Sequence, residues 1–299
     1  MTKYLAYASA LGLATAAQAA IFYEPFDYAT GNLGLNINPS VNQTWYSSAS
    51  SGTDDRVQVA SGSLSTTGLP ASVGNMASLG DSGRTDRIFL GQNRDANNST
   101  SVYWSLLMNV TDLTGAGASG ATIFGFNNTA QSELNHDTAA QPSAISGRLL
   151  VKAIDASTYQ IGASKASGSA GAFTFTDVAQ PYSINSTVFV VGRYSFAVGA
   201  DNDVFDMWVN PDPATFANDA LIPAPTLSTS TVALPGADGG QIATIILRQF
   251  DNVVPAGMQY DEIRVDESWA HVTSNLIPEP SSLALAVGAA GLLMRRRMR

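Results

Sequence analysis

Hydrophobic and polar residues in this chain alternate over short runs, and the clearest run is Ser101 to Thr111. There Val102, Trp104, Leu106, Met108 and Val110 fall on one face of a strand, because successive side chains point to opposite sides. Arg56 to Leu64 repeats the pattern with Val57 and Val59, and Ile88–Gly91, Ala121–Phe126 and Phe173–Val178 are shorter candidates. Arg148–Ile154 and Thr158–Ile161 predict a hairpin around Asp155-Ala156-Ser157, and Thr187–Phe196 pairs with Val204–Val209 across Gly199 to Asp203. Ile242–Phe250 and Tyr260–Val265 close the set, with Trp269–Val272 packing the end, while Ile21–Tyr28 opens it, stopped by Pro25 and the Gly31-Asn32 turn. Residues 38–55, rich in Ser, Asn and Gly around Trp45 and Tyr46, read as loop, as do 127–146 and the Pro-rich stretch 210–235. No helical period is sustained outside the two ends. The pattern predicts an all-β, antiparallel β-sandwich in one domain, residues 21–277.

The two ends are different. Lys3, an apolar stretch from Leu5 to Ala17 and the Ala17-Gln18-Ala19 site have the form of a signal peptide over residues 1–20, cut after Ala19 or Ala20. The last residues, 278–299, read Pro278-Glu279-Pro280, two serines, an apolar run to Met294 and then Arg295, Arg296, Arg297, Met298 and Arg299. The prolines keep the tripeptide extended. The apolar run suits a hydrophobic helix, and the arginines stay on the cytoplasmic side of a membrane. An ordinary anchor is the alternative. Ser281 to Met294 is 14 residues, and at about 1.5 Å each it is shorter than the roughly 20 residues that cross a bilayer comfortably.

This tail resembles the PEP-CTERM sorting signal of bacterial exported proteins, in which a Pro-Glu-Pro motif, a transmembrane-like segment and a basic terminus occur in that order. The resemblance implies recognition by an exosortase, a membrane protease that cuts near the motif. It also implies transient membrane anchoring and a place at the cell surface or in an extracellular matrix, often beside exopolysaccharide.

Composition sharpens the body. Without Lys3 and the four terminal arginines there remain 10 basic residues, against 23 acidic ones once Glu279 is removed, a balance of −13. That charge excludes nucleic acid as the natural partner, since phosphate backbones reward basic patches. With no cysteine, the core alone must stabilise an exported protein. Charged residues make up 13% of the chain, about half the usual share of roughly 25%, so Ser, Thr, Asn, Gln and Gly must cover much of the surface.

Val190–Phe196, Asp206–Pro211 and Asp261–Val265 with Trp269–Val272, together with an opening strand carrying Glu24, Phe26 and Asp27, resemble the concanavalin A-like or laminin-G-like jelly roll. Glycosidases of that fold set carboxylates as Glu-x-Asp-x-x-Glu on one strand. The glutamates here, at 24, 133, 262, 267 and 279, do not form that pattern. Asp261 and Glu262, as strand neighbours, are expected on opposite faces. Gly80-Asp81-Ser82-Gly83 resembles a trypsin-like nucleophile loop but continues with Arg84 and lies before both histidines, His136 and His271, so it reads as a turn. Asp201 and Asp203 offer hard oxygen ligands, making calcium the one cofactor to consider, although an Asx-rich turn accounts for them equally. Trp45, Tyr46, Tyr103 and Trp208 are candidates for stacking on sugar rings, with Trp104 and Trp269 as core. The sequence therefore points to an exported, exosortase-processed, non-catalytic sandwich with carbohydrate as its candidate ligand. A secreted glycosidase or lyase of the same fold is the alternative.

Overall fold

The computed structural model describes residues 21–49, 55–128, 135–142, 144–165, 173–231, 238, 241–249 and 253–274. Its first strands are short: β1 Phe22–Glu24, β2 Gly31–Asn32, β3 Ile37–Asn38, β4 Gln43–Thr44, β5 Tyr46–Ser47, β6 Gln58–Ala60 and β7 Met76–Leu79. Longer ones follow: β8 Asp86–Arg94, β9 Ser101–Asp112, β10 Ala121–Asn127, β11 Ser146–Ala153 and β12 Thr158–Ser164. Then come β13 Thr174–Phe175, β14 Tyr182–Ser183, β15 Val188–Ser195, β16 Val204–Val209, β17 Leu227–Ser228, β18 Ile242–Leu247, β19 Gly257–Asp266 and a single helical turn, α1 Trp269–Val272.

Two sheets face each other. The nine-stranded sheet runs β17-β16-β15-β9-β19-β7-β6-β2, with β1 also paired to β19. The eight-stranded sheet runs β13-β12-β11-β10-β18-β8-β5, with β14 also paired to β12. Every pairing among the described strands is antiparallel. The expected all-β antiparallel sandwich is thus the observed one.

The inner faces form the core. Val102, Trp104, Leu106, Met108 and Val110 are buried in one hydrophobic cluster with Leu149, Val151 and Ile161 of the other sheet, as the alternation of β9 predicts. Each such side chain contributes about 1.5–3 kcal/mol. The Trp104 ring lies 4.8 Å from Phe124 and 6.2 Å from Phe205. Its strand partner is Gly192, where a β-carbon would sit 2.2 Å from the indole, so only glycine admits Trp104 there.

Some elements differ from expectation. β8 extends beyond the Ile88–Gly91 core into Asp86, Arg87 and Arg94, all of them buried, so charge at both ends disguised a nine-residue strand. β7 was not expected, because Met-Ala-Ser-Leu is short and lacks β-branched residues, yet it lies between β19 and β6. Asp261 and Glu262 do not face opposite sides. The register of β19 against β9 slips between Asp261 and Arg264, and Glu262 adopts φ 53°. That bulge shifts the alternation by one, with Met258 and Tyr260 inward before it and Ile263 and Val265 inward after it. Both acids therefore point outward.

Candidate functional site

The outward face of the nine-stranded sheet is divided in two. Along β9 the outward residues are Tyr103, Ser105, Leu107, Asn109 and Thr111. Over the first three the sheet is sealed by its own chain. Tyr103 and Leu107 join Leu64, Phe189, Val191, Trp208, Trp269 and Val272 in a second buried cluster, against which Leu69, Phe216 and Ile222 pack. The cover is fastened by polar contacts. The Trp269 indole donates to the Thr215 carbonyl at 2.9 Å, that of Trp208 to the Pro223 carbonyl at 2.8 Å, and the Ser105 hydroxyl to the Val272 carbonyl at 2.6 Å.

Among the described residues the cover stops past Leu107, and the face turns polar. Asn109 pairs across the ladder with Gln259, Gln259 with Ser78, Ser78 with Gln58, and Gln58 with Asn32. One cross-strand row thus runs over β9, β19, β7, β6 and β2. All five point outward, since their neighbours Met108, Met258, Ala77, Val59 and Leu33 belong to the inner core. Asn109 Nδ2 donates to Gln259 Oε1 at 2.9 Å, and Gln58 Nε2 to Asn32 Oδ1 at 2.9 Å. Asn109 Oδ1 is out of contact with water and has no hydrogen-bond partner. At the far end the row borders a cleft of about 620 Å³, lined by Asn32, Arg56, Gln58, Ser78, Gly80 and Gln249 among others. Gln249 is held beneath it, accepting from Gly80 N at 2.9 Å and donating to the Ser82 carbonyl at 3.1 Å. A β-carbon on Gly80 would meet nothing closer than 3.9 Å, so the space above it is open.

The residues singled out in the sequence lie elsewhere. Trp45 is fully buried, its ring stacked on Phe26 and its indole donating to Glu24 Oε2 at 2.7 Å. Trp208 is buried against Trp269 with ring centroids 5.1 Å apart. Neither offers a face to a sugar, and both are corrected to core. Tyr46 is half-buried on β5, the edge of the other sheet, and so apart from the row. The Gly80–Gly83 segment is the turn that Gln249 grips.

Asp201 and Asp203 do not form a calcium rim. The Asp203 carboxylate is buried, accepting from the Tyr194 hydroxyl at 2.8 Å and Ala197 N at 2.8 Å. The cation beside this loop is the ammonium of Lys165, which donates to the Asp201 carbonyl at 2.7 Å and to Asp238 Oδ1 at 3.1 Å. Asp238 in turn accepts from the backbone N–H groups of Asn202 and Asp203. A lysine ammonium thus stands beside the loop where calcium was the one cofactor to consider. The residues expected to direct processing, Ala17, Ala19, Pro278, Glu279, Pro280, Arg295, Arg296 and Arg297, lie outside the described residues.

Strongly shifted carboxyls often mark sites, and this chain buries several. Burial pushes Glu24 up, but its carboxylate collects Phe26 N, Tyr28 Oη, Asn38 Nδ2 and Trp45 Nε1. Burial lifts Asp261 to about 8, and Leu64 N and Glu262 N both donate to it. Glu262, also raised by burial, is held by the Tyr23 hydroxyl and by Arg264 at 2.7 Å. These three are closed structural knots. Asp86 differs: burial raises it to about 7, against the pull of Arg56, and neither of its oxygens has a close hydrogen-bond partner. Ser47, directly across the strand pair, is likewise buried with its hydroxyl unpartnered.

No protein family and no curated protein matches this chain. Among solved structures, domain 4 of the extracellular arabinanase AbnA from Geobacillus stearothermophilus, in complex with arabinotriose, is similar over 85% of this chain and 97% of its own, at 15% identity and a TM-score of 0.43. The endo-β-1,4-glucuronan lyase of Trichoderma reesei covers 85% of this chain and 98% of its own, at 10% identity and a TM-score of 0.41. The carbohydrate recognition domain of Emp47p covers 84% and 99%, at 11% identity and a TM-score of 0.37. Each is similar to this chain at a level that fixes neither its family nor its ligand.

Proposed function

We propose that this chain is an exported, non-catalytic protein whose sandwich, of the concanavalin A-like jelly-roll kind, binds carbohydrate through the outward row from Asn109 to Asn32. Residues 1–20 act as its signal peptide, residues 21–277 as the binding body, and residues 278–299 as a PEP-CTERM sorting signal cut by an exosortase. The body comes to rest at the cell surface or in the extracellular matrix, among exopolysaccharide. The observation that carries the reading is the row itself: four planar amides and a serine in register over five strands, beside an open cleft. Amides pair naturally with hydroxyls, because each side offers both a donor and an acceptor. Asp55 is the one carboxylate among the described residues lining the cleft, and glycoside hydrolysis uses two. That supports a binding role over turnover.

A glycan array probed with the exported protein, beside a broad glycosidase and lyase screen, tests the reading. Binding that Gly80→Phe abolishes is the expected result, since that ring fills the cleft without a clash at its β-carbon. Turnover that survives purification and is lost in the same variant would instead establish the glycan-active enzyme. Mass spectrometry of the surface protein addresses the tail. The expected product ends near Pro280, and replacing Pro278-Glu279-Pro280 by alanines blocks the cut. A mature chain still ending in Arg299 would make the tail a plain anchor.

A further inference from the structure

Resting on the carbohydrate-binding reading, we infer that the row takes an uncharged, hydroxyl-rich polysaccharide segment laid across the strands, and rejects polyuronates. The direction follows from the two halves of the face. The sealed cover ends at Leu107, so a chain running along β9 would meet it after one residue. Across the strands the way is open, and five strands at about 4.8 Å spacing give a track of about 19 Å. The track ends in the cleft, where Gly80 leaves the floor low.

The charge preference follows from what the row contains and from what the one cation among the described residues lining the cleft is doing. Asn109, Gln259, Ser78, Gln58 and Asn32 carry no charge. Neutral amides and a hydroxyl offer a glycan hydroxyl both donors and acceptors, and they offer a carboxylate no compensating charge. A uronate needs a positive fork, and the guanidinium at the cleft is Arg56. Both its terminal nitrogens are committed to Asp137, at 2.7 and 3.0 Å. Asp55 lines the same cleft, and a body balance of −13 repels polyanions at longer range.

Affinity electrophoresis of the exported protein tests this with soluble glucan, xylan and galactan against polygalacturonate and alginate, at low and high salt. The expected result is retardation by at least one neutral polymer, nearly unchanged by salt and about tenfold weaker in Gln58→Ala and Gln259→Ala. Polyuronate binding that collapses with salt and is lost in the same variants would overturn the charge preference and leave the site standing. Absence of binding to any polymer, or binding indifferent to both variants, would overturn the carbohydrate reading beneath it. Thermal melts of the two variants guard against misreading a folding defect, and Gly80→Phe supplies a second block that removes no hydrogen bond.

Discussion

Tyr103 and Asn109 lie six residues apart on the same face of the same strand, yet they belong to different surfaces. Around Tyr103 the sheet is roofed by Leu64, Phe216, Trp269 and their neighbours, and the indole N–H groups tie the roof to main-chain carbonyls. Around Asn109 no described residue forms a roof, and side chains bond sideways to one another along the row. In the roofed half energy resides in apolar area. In the open half the polar groups contribute little to stability, because water replaces their partners at small cost. One strand can thus hold the fold together at one end and leave the other for recognition.

The sharpest way to break that contrast is to open the roof. Trp269→Ala removes the largest side chain at its centre and should cost about 3–5 kcal/mol, read in urea unfolding, with binding by the folded fraction intact. Loss of binding at full folding would mean that the roofed half takes part in recognition.

A second variant compares the charge inside the sandwich with the neutrality outside. The folded pKa of Asp86, about 7, lies above the ordinary carboxylate value of about 3.9. As pH rises the unfolded chain ionises first, so stability is lost between about pH 4 and 7 and stays level above. Asp86→Asn cannot ionise. It should match the wild type near pH 3 and gain about 2–4 kcal/mol above pH 7, checked by denaturation at several pH values. A constant difference at every pH would show that the buried carboxyl is not the cause.

The smallest stability effect belongs to the row. Gln259→Ala forfeits one half-exposed hydrogen bond and should cost about 1 kcal/mol or less, while changing glycan affinity most. A larger loss measured by thermal melting would make the row a structural brace.

Much of the fold was legible in the sequence, because strand alternation is local. Val102 to Val110 read correctly for that reason, and so did the hairpin of Leu149 and Ile161. The bulge at Glu262 leaves only a trace in the sequence: Tyr260 and Ile263 are three apart, and no unbroken strand places both on the inner face they share. The site was not legible. Its five residues stand at 32, 58, 78, 109 and 259, brought into line by a strand order that no local pattern encodes. Trp45 misled for a similar reason. Its Ser- and Asn-rich surroundings suggest an exposed ring, while the acceptor that holds it inside, Glu24, is 21 residues away.

Lys165 has a consequence for where such a protein can work. Acidic polymers and chelators strip calcium from loops that borrow it, and those loops then loosen with the chemistry of the surroundings. Here the positive charge is a side chain, covalently part of β12's exit and nearly buried between the Asp201 carbonyl and Asp238. It cannot diffuse away. The 199–203 loop should keep its shape in a medium depleted of divalent ions, and added EDTA should leave the melting temperature where it was.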